Sequence, residues 1–189
     1  MTNEARIPTK AELLQALRSS AQEVVGRVSA LPAEALDQGR YESGWNGRQI
    51  LAHVASIEWT YPRLLDLARE APAAAAPAAA PAQVRRTEPG ETPGTPTRPM
   101  QGGIDGYNER QVEKRAEATV PDLLDEFQKN RAATIAAVEG ADEALLATPI
   151  RSAGGITGPL AGVIFAVAVQ HVLGHLNDIA GAEYAGTRW

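Results

Sequence analysis

Apolar residues recur every three or four positions in four separate stretches of this chain, and they do not alternate with polar ones as half-buried strands require. The first stretch follows Thr9 and Glu12, a capping-box pair, and continues through Leu14, Leu17, Ala21, Val24 and Val28. Leu31-Pro32 ends it. A polar connection leads to Gly44-Trp45, and Asn46 with Gln49 offers the next helix start. Ile50, Val54, Ile57, Tyr61, Leu64 and Ala68 form its stripe. Pro62 lies inside that pattern, where it removes a backbone bond and clashes with the preceding turn, so the helix should kink or break near Thr60.

The second half repeats the theme. Thr119 opens a helix with Pro121 in its first turn, Leu124, Phe127, Ile135 and Val138 along its face, and Gly140 at its end. After Ser152-Ala153-Gly154-Gly155, the last helix should begin near Thr157 or Gly158, with Pro159 in its first turn. Its stripe reads Ile164, Val167, His171, His175, Ile179 and Ala182. A shorter, highly charged helix is expected over residues 105–118, anchored by Tyr107 and Val112. Four long amphipathic helices of this kind make an all-α antiparallel four-helix bundle, with the short charged helix as an addition. Residues 71–103 break the pattern with alanine, proline, glycine and threonine. Their ordering entropy outweighs the apolar surface they can bury, which predicts a long flexible insertion loop.

Composition narrows the function classes. The 189 residues suit a single domain over 1–189 with a sizeable core. A net charge of -5 and the absence of a basic, aromatic-rich patch argue against nucleic acid as a partner. The N-terminus lacks the apolar core of a signal peptide, and the apolar run over residues 160–169 is too short to span a bilayer, so the expected protein is soluble, cytoplasmic and free of membrane. Without cysteine there is no disulfide, thiolate zinc site or cysteine nucleophile, and any thiol chemistry must import its thiol.

The candidate chemistry lies in three histidines, all that the chain has. His171 and His175 are four apart on one helix face, roughly 5–6 Å between Cβ atoms, so both imidazoles reach one point. His53, on the separately capped second helix, sits at the edge of that helix's inward stripe. A lone histidine there is ordinarily a core residue with one satisfied hydrogen bond. A buried pair is different, because each neutral ring needs a partner and a shared cation serves both. Three imidazoles without sulfur leave a coordination position open, unlike a closed structural zinc site. Zinc, nickel, iron(II), cobalt and copper all accept such nitrogens. Asp178, three after His175, is a fourth ligand, an orienting acceptor or a solvated helix-end residue. Gln49 reads as the capping-box residue ahead of a role beside His53, and Gly174 as a site of close packing or of room near the rings. Arg48, Glu58, Trp59, Asn108 and Arg110 are further candidates for lining a pocket, and Trp45 should pack over the start of the second helix. A non-catalytic bundle that binds a ligand, metal or protein is the competing class.

The segment Gly44-Trp45-Asn46-Gly47-Arg48-Gln49-Ile50-Leu51-Ala52-His53-Val54 resembles the Trp-to-His segment of the DinB/YfiT-like bundle family. His171 and His175 followed by Asn177-Asp178-Ile179 resemble its paired histidines, and Ile104-Asp105-Gly106-Tyr107-Asn108-Glu109 the segment before its middle helices. The resemblance implies an up-up-down-down bundle, commonly a homodimer, with a divalent metal, zinc or nickel foremost and iron next, on His53, His171 and His175. Relatives include mycothiol-dependent maleylpyruvate isomerases and proposed transferases that use bacillithiol, mycothiol or related low-molecular-weight thiols. The implied activity is therefore a metal-dependent thiol transferase, isomerase or hydrolase acting on a small-molecule substrate.

Overall fold

The computed structural model describes residues 7–37, 44–70, 84–86 and 103–181. Helix α1 spans Lys10–Ala30, and its capping box is formed by Thr9 and Glu12 as expected. Its buried positions are Leu13, Leu17, Ser20, Val24 and Val28, so Leu13 and Ser20 occupy the inward face where Leu14 and Ala21 stood in the expected stripe. A single turn, α2 (Ala33–Leu36), precedes α3 (Gly47–Glu58), which starts on the Asn46–Gln49 capping box. The helix breaks over Trp59–Tyr61 and resumes as α4 (Pro62–Glu70), which is what a proline without an N–H at the head of a new helix produces. Helix α5 (Gly103–Glu113) is shorter than expected, and α6 (Val120–Glu139) runs from the Thr119–Asp122 capping box to Gly140. A further turn, α7 (Glu143–Leu146), is capped by Asp142.

Two expectations are corrected here. Strands β1 (Arg85–Arg86), β2 (Pro149–Arg151) and β3 (Ile156–Pro159) form an antiparallel sheet in the order β1-β3-β2. Ile156–Pro159 is thus extended, and the last helix starts at Leu160 with Pro159 as its cap, later than the sequence pattern indicated. The expected loop over residues 71–103 contains a strand at Arg85–Arg86, and Gly103 already belongs to α5. Apart from Val84, the rest of that loop, like Ala182, lies outside the described residues.

The last helix has three parts: α8 (Leu160–Ile164), a π-helical segment (Phe165–Gln170) and α9 (His171–Ala180), ended by Gly181 in the left-handed conformation at φ 66°. Within the π segment the ladder skips a residue, so the N–H of His171 donates to the carbonyl of Ala166, five back. The added residue rotates the inward face. Ala168 and Val169 are buried while Val167, expected on the stripe, is partly exposed. By length and composition Leu160–Ala180 could cross a bilayer, longer than the short apolar run suggested, yet most of it is buried inside the bundle.

Around the bundle, α1 and α3 each pack against both α6 and the last helix, which places α1 and α3 on a diagonal. Two apolar clusters fill the interior. One gathers Leu13, Leu17, Leu65, Leu160 and Ile164 beside the sheet, and the other Val24, Val28, Ile50, Phe127, Val172 and Leu176. Between them lies a polar layer. Arg131, 1 % exposed, forms a two-pronged ion pair with Glu58, Nε to Oε1 at 2.6 Å and Nη2 to Oε2 at 2.9 Å. Its remaining hydrogens go to the Leu17 carbonyl at 3.0 Å, Ser20 Oγ at 2.7 Å and the Ala168 carbonyl at 2.6 Å. Tyr61 Oη donates to the Val167 carbonyl at 2.7 Å. Those two carbonyls belong to the π segment, whose loosened ladder leaves them open to side chains from α6 and from the α3–α4 break. Burial pushes Glu58 up from the ordinary carboxyl range, and the Arg131 guanidinium and its hydrogen bonds oppose that rise.

Candidate metal centre

His53 stands near the middle of α3, and His171 and His175 on the first turns of α9, where the π segment delivers them. Helices α3 and α9 are packed neighbours, so the three rings converge within the second apolar cluster. Ring centroids are 4.5 Å apart for His171 and His175, 5.1 Å for His53 and His175, and 5.7 Å for His53 and His171. One nitrogen from each ring lies within 4.8 Å of the others. A tetrahedral ion about 2.1 Å from each nitrogen sets such atoms roughly 3.4 Å apart, a difference that small ring rotations close.

Burial and the neighbouring rings disfavour the protonated forms of His53 and His171. His53 is held well below the usual imidazole range by burial first, then by His175 and His171. His171 is pushed down to about 3 by burial, His175 and the positive charge of Arg86, with Asp178 pulling the other way. Neutral imidazole is the form that ligates metals. His53 Nδ1 is buried and has no hydrogen-bond partner among the described residues. Leaving a buried polar atom so costs about 1–3 kcal/mol. A cation shared by the rings is the chemistry that fits such closely gathered imidazole nitrogens.

Asp178 is neither solvated nor at the centre of the group. Its side chain is 10 % exposed and its Oδ2 lies 3.3 Å from His175 Nδ1. An N–H on Nδ1 donating to that carboxylate leaves the lone pair on Nε2 and fixes the ring's orientation. The neighbouring Asn177 ties α9 to α1, accepting from Arg27 Nη2 at 3.1 Å and donating to the Leu173 carbonyl at 2.8 Å. Trp45 stands 5.3 Å from His53 and packs against the same cluster. Gly174 is buried between the two histidines. His171 remains partly exposed and is the edge from which the group can be reached.

The other candidates have different work. Gln49 Oε1 accepts from the Asn46 N–H at 3.0 Å and so caps α3. Arg48 donates to the carbonyls of Ala116 and Ala118, lacing α3 to the segment after α5. Glu58 belongs to the buried layer with Arg131. Trp59 is exposed under Arg63, whose guanidinium carbon is 5.3 Å from the ring centroid. Arg110 is exposed on α5, and Asn108 Oδ1 is buried there without a hydrogen-bond partner among the described residues. A cavity of about 330 Å³ opens between α3 and α5, lined by Trp45, Arg48, Gln49, Ala52, Val112 and Arg115 among others. Among the described residues, Arg86 and Asp178 are the charged groups that bear on His171, and of these the sequence pattern marked only Asp178.

A four-helix bundle with three inward histidines from two facing helices defines a class of helical proteins equipped to hold a divalent cation. The chain belongs to the DinB superfamily, whose family model matches residues 16–179. No curated protein and no solved structure matches it.

Proposed function

We propose that the protein is a divalent-metal-dependent enzyme with His53, His171 and His175 as its metal ligands, working as a transferase or isomerase with a low-molecular-weight thiol as cosubstrate. The observation that carries this reading is the gathering of three imidazoles, one with a buried nitrogen that has no partner among the described residues. Zinc or nickel suits such a set, with iron(II) next. The bound cation supplies Lewis acidity, which lowers the pKa of a thiol or water reaching its open positions. The chain's own groups do the rest. Asp178 holds the His175 tautomer, Trp45 covers His53, the apolar cluster keeps water from the inner rings, and partly exposed His171 leaves one side open. The absence of cysteine supports an imported thiol. The assembly proposed with this reading is a homodimer acting on a small molecule.

The test is to load the tag-free protein with zinc or nickel and offer mycothiol, bacillithiol and simpler thiols together with electrophilic substrates. Turnover that needs metal and thiol and disappears in His171→Ala supports the reading. Metal binding without turnover for any pair favours a non-catalytic metal-binding bundle instead.

A further inference from the structure

Strand β1 carries two arginines on opposite faces. Arg85 pairs with Thr157 and Arg86 with Ile156 of β3, and successive strand residues point to opposite sides. Ile156, directly across from Arg86, is buried in the apolar cluster with Leu160, Val163 and Ile164 of the last helix. Val84 is two residues before Arg86 and hence on the same face. It presses on the last helix at Gly162, where a Cβ would come within 2.5 Å of Val84 Cγ2. The face of β1 that carries Val84 and Arg86 is therefore turned towards the helix that bears His171 and His175. Arg85 leaves on the other face. Arg86 is exposed, and its guanidinium joins no hydrogen bond or ion pair among the described residues.

A guanidinium that no described carboxylate pairs with, held by a strand beside the imidazoles, is a ready partner for an anion, and its planar fork matches the two oxygens of a carboxylate. Among the described residues, the carboxylate that bears on the histidines, Asp178, is engaged with His175. Once the histidines hold a divalent cation, positive charge dominates the mouth of the group and favours an anionic ligand over a neutral one. We propose that Arg86 anchors the carboxylate of a small acidic substrate beside the three-histidine group, so that the substrate class is an organic acid. This rests on the metal-enzyme reading above and adds to it the substrate's charged group. Gly162 is what lets Val84, and with it Arg86, come so close.

The experiment uses the full chain, zinc-loaded and metal-free, titrated calorimetrically with succinate and with uncharged succinamide. Wild type is compared with Arg86→Gln, Arg86→Lys and Arg85→Gln, after zinc content has been measured in each. Expected is succinate binding that weakens about tenfold in Arg86→Gln, recovers partly in Arg86→Lys, changes by less than about twofold in Arg85→Gln, and has no succinamide counterpart. Equal succinate affinity in wild type and Arg86→Gln at equal zinc content overturns the proposal, as does an equal loss in Arg85→Gln. If wild type holds no zinc, the metal-enzyme reading falls by itself. The metal-free titration then still decides Arg86, with binding lost in Arg86→Gln upholding the anchor and no binding in wild type overturning it.

Discussion

Among the described residues, two groups of polar side chains are buried between the long helices, and they are finished to different degrees. In the Arg131–Glu58 layer every hydrogen of the guanidinium that the helices can reach is used, on the carboxylate, on Ser20 and on two backbone carbonyls. Thr134 Oγ1 adds a 3.3 Å contact to the same carboxylate. In the histidine group a few residues away, the rings face one another and a buried nitrogen of His53 has no partner among the described residues. A saturated network holds helices in register, whereas an unsaturated one keeps its lone pairs for something the chain does not supply. The two are also joined. Arg131 and Tyr61 take carbonyls from the π segment that leads into His171, so the structural layer helps to set the turn on which the candidate site stands.

The largest effect expected from breaking this contrast is at Arg131. Arg131→Met strands Glu58 as an uncompensated buried carboxylate and should cost about 3–5 kcal/mol in denaturant unfolding, whereas pairing it with Glu58→Leu should restore most of that. A double variant as unstable as the single one would mean that the carbonyl contacts, not the ion pair, hold the layer. At the histidine group, Asp178→Asn keeps the shape but weakens the acceptor for His175, so zinc affinity should fall about 10- to 100-fold with little change in the unfolding midpoint of the metal-free protein. An unchanged affinity would remove Asp178 from the site.

Acid should act on the histidines as well. Folding depresses the pKa of His53 and His171 below the ordinary 6.5, so the unfolded chain binds more protons in that range. Metal-free stability is then complete above about pH 6.5 and declines as pH falls towards the folded value of about 3 for His171, at roughly 1 kcal/mol per pH unit for a fully depressed group. Urea midpoints measured from pH 7.5 to 4.5 should show that decline, and His171→Ala should flatten it. The smallest effect is expected at Tyr61. Tyr61→Phe leaves the Val167 carbonyl without its hydroxyl donor and should cost about 1 kcal/mol, again by urea unfolding.

The contrast also explains what could be read from the chain. His53, His171 and His175 were legible as a group because helical spacing, an Asn46–Gln49 cap and the absence of other histidines are all local or compositional facts. The break at Pro62 and the caps at Thr9 and Thr119 were legible for the same reason. The Arg131–Glu58 pair was not, since its members are 73 positions apart and each looks like a surface charge in its own helix. The π segment hid behind it. Phe165–Gln170 has the composition of an ordinary apolar helix, and side chains from distant helices take up its loosened carbonyls. The strands run two to four residues, too short for alternation to appear, and β1 falls within proline-rich sequence. Asp178 was legible in position but not in burial, which depends on how α9 packs.

The account turns on whether the unsaturated group is a metal site, and calorimetric titration of zinc into tag-free, metal-free protein at pH 7 asks this directly. One ion per chain is predicted, with affinity at least about 100-fold weaker in His171→Ala while the far-ultraviolet circular dichroism stays the same. Absence of binding in the wild type, or equal binding in the folded His171→Ala variant, would contradict it.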